Sequence, residues 1–237
     1  MSVVRGDDPG LLIAFEGLDG SGKTTQRKLL KTWLEANGED VVVSKWNSSL
    51  LFKDLIKARK ASRRLNPVQY STLQAADFRY RLEINIEPAL RAGKIVLADR
   101  YFFTGISRDV ARGINRTRIA NLYSCARSPD LTFYFLAAPY KLARRIEATR
   151  QIKFYEAGQD VTLLDDPFES YLQFAPKVMQ EYAELHRRFG FITVDAEQSI
   201  LDQHKFIREA YEEYLTALPD NFFGKQSFAL AGYEGHD

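Results

Sequence analysis

Short, mainly apolar runs recur along the chain, separated by longer stretches in which apolar residues return every three or four positions. The runs are Leu11–Phe15, Val41–Val43, Ile95–Ala98, Leu131–Leu136 and Phe191–Val194. Runs this short and mainly apolar read as strands covered on both faces, the pattern of a parallel sheet. The intervening stretches predict helices over Lys23–Ala36, Leu50–Lys60, Pro67 to about Ala92, Thr104–Tyr123, Pro139–Thr149, Pro167–Phe189 and Ile200–Leu215. Asn37-Gly38 and Gly93 are stop signals; Pro88, Gly113 and Pro176 are expected to kink or break the helices that contain them. Gln151–Asp166 is polar, contains Gly158 and reads as a loop. Strands alternating with helices predict an α/β fold in three layers, a five-stranded parallel sheet flanked by helices.

The first strand runs into Gly17-Leu-Asp-Gly-Ser-Gly22-Lys23-Thr24, which satisfies G-x-x-x-x-G-K-[ST]. Glycines let successive backbone N–H groups turn toward phosphate oxygens, and the helix that starts here adds its positive end. The pattern makes Gly17, Asp19, Gly20, Ser21, Gly22, Lys23, Thr24 and Thr25 candidates for binding ATP, with Lys23 on the β- and γ-phosphates and the Thr24 hydroxyl on Mg²⁺. A glycine-rich turn that binds nothing is the competing reading. There is no convincing instance of a D-x-x-G segment or of an N-K-x-D guanine reader, so a small phosphotransferase fits better than a GTPase.

Asp99 and Arg100 end the third strand. In open α/β sheets, ligands lie beyond the carboxyl ends of the strands. Asp99 there would help hold Mg²⁺ or orient the acceptor, and Arg100 would bridge the transferring phosphoryl group and the acceptor. A structural ion pair at a strand end is the alternative.

Composition narrows the picture without redirecting it. Hydrophobic residues make up 45% of the 237 positions, and 33 basic against 31 acidic residues leave a net charge of +2. That balance gives no reason to expect nucleic acid or an anionic membrane as partner. Basic residues cluster in Lys53–Arg64 and Arg108–Arg118. Cys125 is the single cysteine, no apolar run approaches the length of a membrane span, and the first ten residues lack a signal-peptide core, so a soluble cytoplasmic protein is expected.

The two motifs together resemble the thymidylate kinase family of nucleoside monophosphate kinases. The resemblance begins at Phe15–Gln26, continues through Ala75-Ala76-Asp77, Glu87-Pro88-Ala89-Leu90 and Ala92-Gly93-Lys94, and includes Asp99-Arg100-Tyr101 with Thr104-Gly105, and Pro129-Asp130-Leu131. It implies transfer of the γ-phosphate of Mg-ATP to a nucleoside monophosphate, dTMP by default, in a homodimer. It implies that Asp19 contacts the acceptor sugar. Some members carry a catalytic arginine where Gly20 stands; others supply it from a lid, which here falls near residues 144–166 and offers Arg144, Arg145, Arg150 and Lys153. Arg150, at the junction of helix and loop, is the candidate for catalysis, and Arg144 for ATP.

Departures cluster on the acceptor side. Phe78 stands where the family has an arginine for the acceptor phosphate, and Gln74 where it has a base-stacking aromatic. Phe78, Arg79, Arg100, Thr104 and Arg108 are the candidates for acceptor binding, with Asp19; Arg79 or Arg81 is the candidate substitute for the missing arginine, and Tyr70 or Phe78 for the missing aromatic. A kinase of this fold with another anionic acceptor, and a non-catalytic ATP-binding module, stay open. Residues 1–217 are expected to form one kinase domain. The tail, 218–237, carries no clear element and reads either as disordered or as an arm.

Overall fold

The computed structural model describes residues 10–218; the first nine residues and the tail beyond Leu218 lie outside the described residues, and with them the expectation for the tail. Five strands, β1 (Leu11–Gly17), β2 (Val41–Lys45), β3 (Ile95–Asp99), β4 (Leu131–Leu136) and β5 (Ile192–Asp195), pair in the order β2-β3-β1-β4-β5, all parallel. Every residue of β1 is buried, so the central strand is covered on both faces. The strand continues through the buried Glu16 and Gly17, two residues beyond the sequence prediction.

The helices flank this sheet. Helix α1 (Lys23–Ala36) packs against β1, β3 and α11 (Ile200–Thr216). Helix α2 (Lys53–Ala61) packs on α3 (Pro67–Arg81), and α3 meets α5 (Phe102–Val110), which packs in turn on α10 (Pro167–Phe189). Phe15, Phe78, Tyr101, Phe103, Phe133, Phe135, Phe174 and Tyr182 are among the largest side chains fully removed from water in the core.

Local signals set the boundaries. Helix α3 starts at a capping box: the Asn66 side chain accepts the Gln69 N–H at 2.9 Å, the Gln69 side chain accepts the Asn66 N–H at 3.2 Å, and Pro67 occupies the first turn. Pro88 divides the long helix as expected. A π-helical turn, Leu82–Ile86, absorbs the disruption and places Pro88 in the first turn of α4 (Glu87–Arg91), where its missing N–H costs little. Gly113, at φ 87°, separates α5 from α6 (Arg116–Leu122).

Two expectations fail. Helix α10 runs unbroken through Pro176, because Phe174, Ala175, Val178 and Tyr182 are buried on either side of it and their packing outweighs one lost backbone bond. The polar segment 151–166 is not a plain loop. Beyond α7 (Pro139–Glu147) it folds into α8 (Phe154–Ala157) and α9 (Gln159–Thr162), with Gly158 left-handed between them, and it buries Ile152, Tyr155 and Ala157. Three apolar anchors among polar neighbours sufficed, which composition averaged out.

Removing the α3 cap with Asn66→Ala should destabilise the protein by about 1 kcal/mol, read as a lower urea midpoint at unchanged slope.

Candidate active site

The parallel register brings the carboxyl ends of β1, β3 and β4 to one edge: Phe15 lies beside Asp99, and Gly17 beside Phe135. The loop after β1 needs its glycines. Gly17 has φ 130°, and a side chain there would press its Cβ within 2.5 Å of the Phe135 carbonyl; Gly20 has φ 82° and sits against the Leu142 carbonyl. Gly22, left-handed, caps α1, and Thr25 N–H donates to its carbonyl at 3.0 Å. Lys23 is buried and turns back over the loop, donating to the Leu18 carbonyl and to Ser21 Oγ at 3.0 Å. Burial pushes its ammonium down to about 7, Arg100 adds repulsion, and Asp19, Asp99 and Glu16 pull the other way.

Beside the loop, Thr24 Oγ1 donates to Asp99 Oδ2 at 2.9 Å, and Arg27 Nε donates to the same oxygen at 3.2 Å. Arg27 sits one helical turn beyond Thr24 on α1; that spacing was the signal for a residue the sequence reading passed over. Among the described residues no group of three or more His, Cys, Asp or Glu side chains is gathered as a metal cage.

Arg100 adopts a left-handed backbone, φ 71°, rare for a residue with a side chain. Its guanidinium donates to the Gly17 carbonyl at 2.9 Å, to Thr104 Oγ1 at 3.2 Å and to Asp19 Oδ1 at 2.6 Å. Arg108 closes on the other Asp19 oxygen. Burial would raise Asp19, but Arg100, Arg108 and Lys23 outweigh it and hold its carboxyl below the ordinary range. Tyr171 donates to the Asp19 carbonyl at 3.2 Å.

Glu16, assigned no role from the sequence, underlies this arrangement. It is fully buried and accepts from Tyr101 N–H at 2.7 Å, Thr104 Oγ1 at 2.6 Å and Tyr182 Oη at 2.7 Å. Burial raises its pKa, against the pull of those bonds and of Arg100. A carboxylate closing an otherwise apolar strand was the available clue.

The P-loop edge opens into a cleft of about 690 Å³, with Asp19, Arg100, Thr104, Arg108 and Arg150 in its lining. Arg150 makes a bidentate pair with Glu156, both bonds 2.9 Å. The lid segment is anchored across the cleft: Tyr155 stacks on Tyr70 at 4.7 Å, and Arg112 bonds both Asp160 and the Tyr155 carbonyl. Lys60 and Arg63, from the basic cluster, also line the cleft.

Three assignments need correcting. Phe78 does not face the cleft; it is fully buried against Trp46, Tyr101, Phe102 and Tyr123, as its neighbours demand. Arg79 lies on the outer surface and pairs with Glu83. Arg81 is buried but committed to Asp77 at 2.7 Å and Ser44 at 2.8 Å, so neither arginine replaces the missing one. Arg144 is exposed on α7 and pairs with Glu147 at 3.5 Å. Tyr70 does line the cleft, but Tyr155, Lys60 and Arg112 already engage its ring.

A parallel sheet with a P-loop after β1 and an Asp–Arg pair after β3 defines a P-loop phosphotransferase. A thymidylate kinase family model matches residues 15–207. The chain is 39% identical over 209 residues to a probable thymidylate kinase 2 of Saccharolobus solfataricus, covering 87% of this chain and 97% of that one. It is 31% identical over 208 residues to a probable thymidylate kinase of Thermococcus gammatolerans (84% and 94% covered) and 30% over 216 residues to a thymidylate kinase of Caldanaerobacter subterraneus subsp. tengcongensis (87% and 97%). The chain belongs to the thymidylate kinase family, and its enzyme class is nucleoside monophosphate kinase. No described helix is long and apolar enough to cross a membrane.

Phe78→Ala should cost about 3–5 kcal/mol of folding stability, measured by chemical denaturation, because it opens a cavity in an aromatic cluster. A ligand-binding residue at a cleft surface would show no loss of that size.

Proposed function

We propose that the protein transfers the γ-phosphoryl group of Mg-ATP to dTMP, giving dTDP and ADP. The observation that carries this reading is the convergence of Lys23, the Thr24–Asp99 pair and the Asp19–Arg100–Arg108 cluster at one edge of the sheet. Family membership and the thymidylate kinase relatives support dTMP as acceptor.

In this reading an oxygen of the acceptor's phosphate attacks the γ-phosphorus as the bond to the β–γ bridging oxygen breaks, and ADP leaves. A phosphate monoester with a second ionisation near ~6 is already a dianion at neutral pH, so the step needs charge neutralisation and alignment rather than a general base. The P-loop backbone from Gly17 to Thr25 cradles the donor phosphates and Lys23 contributes a positive charge there. Arg100 lies between donor loop and acceptor cleft and screens the two phosphates from each other. Asp19, kept ionised by its arginines, accepts from the acceptor sugar, while Thr104 and Arg108 hold Arg100 and Asp19 in place. Arg150 brings the lid's charge to the transferring group, with Glu156 holding it over the cleft.

Thr24 and Asp99 would hold Mg²⁺. Two hard oxygens 2.9 Å apart suit an ion that takes few protein ligands and completes its shell with phosphate oxygens and water. When bound, the ion offsets charge on the β- and γ-phosphates.

We further propose a cytoplasmic homodimer. The exposed apolar side chains Leu50 and Leu51 before α2, Leu55 on α2, Val68 on α3 and Ile84 in the π-helical turn support a partner contact, and a lone cysteine suits a reducing compartment.

The test is ADP release from Mg-ATP with a panel of nucleoside monophosphates. The proposal expects turnover with dTMP well above the others. ATP binding without turnover, or ADP release needing no acceptor, overturns it.

Lys23→Ala should lower kcat/KM at least ~100-fold. The amine's depressed value adds a pH signature. Above pH 7 most free protein carries neutral Lys23, and the triphosphate restores its charge, so Mg-ATP binding at pH 8 should take up about one proton. Calorimetry in buffers of different ionisation enthalpy reads that uptake, which Lys23→Ala should abolish.

A further inference from the structure

An arginine is buried where the lid segment meets the end of α5. The Arg112 side chain is shut off from water, and Asp160, its partner on α9, nearly so. Arg112 Nε and Nη2 fork onto the two carboxylate oxygens of Asp160 at 2.8 and 3.3 Å. Nη2 also donates to the Tyr155 carbonyl on α8 at 2.6 Å, and Nη1 to the Arg108 carbonyl on α5 at 3.1 Å. The guanidinium lies over the rings of Tyr70 and Phe174, 5.1 and 4.6 Å from their centroids. Desolvating both charges of a buried ion pair largely offsets their attraction, so net stability is a poor account of this arrangement. A planar donor that bonds three separate groups supplies fixed geometry instead.

The groups it joins belong to the two sides of the site. Arg108, one helical turn before Arg112, pairs with Asp19 through its side chain, so its carbonyl is a fixed point on the acceptor side. Tyr155 is followed by Glu156, whose carboxylate holds Arg150 through two 2.9 Å bonds. A continuous path of hydrogen bonds and covalent links thus runs from Asp19 through Arg108, Arg112, Tyr155 and Glu156 to Arg150. The lid has other ties: Tyr155 Oη accepts the Leu65 N–H at 3.1 Å, and Ser170 Oγ donates to the Ala157 carbonyl at 2.9 Å. Those run to the turn before α3 and to α10. The tie through Arg112 runs to the helix that carries Arg108.

We propose that Arg112 is a positioning residue for phosphoryl transfer: it fixes the lid against α5 in the register that sets Arg150 over the transferring group. Its own side chain is buried, so it acts through Glu156 and Arg150 rather than on a substrate. Charge stabilisation in the transition state depends on placement, and a shift of about 1 Å in an aligned group costs on the order of 100-fold in rate. Ground-state binding of ATP and of the acceptor rests on the P-loop and on Asp19, and changes little when the lid slips. The inference rests on the role given to Arg150 in the functional reading above.

The test is a double-mutant cycle in the full chain: steady-state kinetics with dTMP and Mg-ATP of the unaltered protein, Arg112→Met, Arg150→Met and the double variant. The proposal expects Arg112→Met to lower kcat about tenfold or more, with KM for dTMP and for ATP within about threefold. It expects the double variant to match Arg150→Met within about twofold, because both substitutions remove one effect. Asp160→Asn, which alters the lid end of the pair alone, is the second variant should Arg112→Met not fold, with the same non-additivity. An unchanged kcat overturns the proposal. So do losses that multiply in the double variant, which would make Arg112 a structural residue acting independently of Arg150, and so does a rise confined to KM for dTMP. Full activity of Arg150→Met removes Arg150 from the functional reading, and the proposal with it. Failure of the unaltered protein to phosphorylate any nucleoside monophosphate overturns that reading itself.

Discussion

The site depends on one buried carboxylate. Glu16 ends the central strand in a place without water, and its negative charge is met by a backbone N–H, a threonine and a tyrosine drawn from the turn after β3, from α5 and from α10. Those bonds fasten three elements to the strand that launches the P-loop. Arg100 lies in the turn so held. Its left-handed backbone is costly for a side-chain-bearing residue, and the surrounding bonds, including its N–H to the Phe15 carbonyl, over-determine it. A buried charge stripped of its partners is strongly destabilising, so the strand, the turn and the long helix hold together or loosen together.

From that knot the electrostatics spread outward. Asp19 is shared by Arg100 and Arg108, so the loop's carboxylate and two cleft arginines form one charge network rather than three separate contacts. Lys23 feels the same arginine and gives up part of its affinity for protons to it. Anionic phosphates entering between Lys23 and Arg100 meet a guanidinium already fixed in place, and their charge favours the protonated form of Lys23.

Much of this was readable from residue order. Apolar runs marked all five strands, and the glycines and proline at Gly17, Gly22, Pro67 and Gly113 marked turns and caps, because those signals act locally. The donor half was readable for the same reason: its residues are consecutive and their spacing carries the chemistry. The acceptor half was not. Phe78 and Arg81 belong to one helix face, but which face meets the sheet and which meets the cleft is decided by packing against Trp46, Tyr101 and Ser44, far away in the chain. Glu16, Tyr182 and Arg112 act across separations of many residues, and no window of sequence shows those pairs. The lid segment was misread because its few apolar anchors, Ile152, Tyr155 and Ala157, lie among charges.

The central claim is that this cleft moves a phosphoryl group from ATP to a second phosphate rather than to water. Phosphorus NMR of a mixture of the protein, Mg-ATP and dTMP follows the fate of that group directly. The account predicts that the monoester resonance of dTMP gives way to the two coupled resonances of a diphosphate, in step with conversion of ATP to ADP and with no inorganic phosphate accumulating. Growth of the inorganic phosphate signal with the dTMP resonance intact would contradict it.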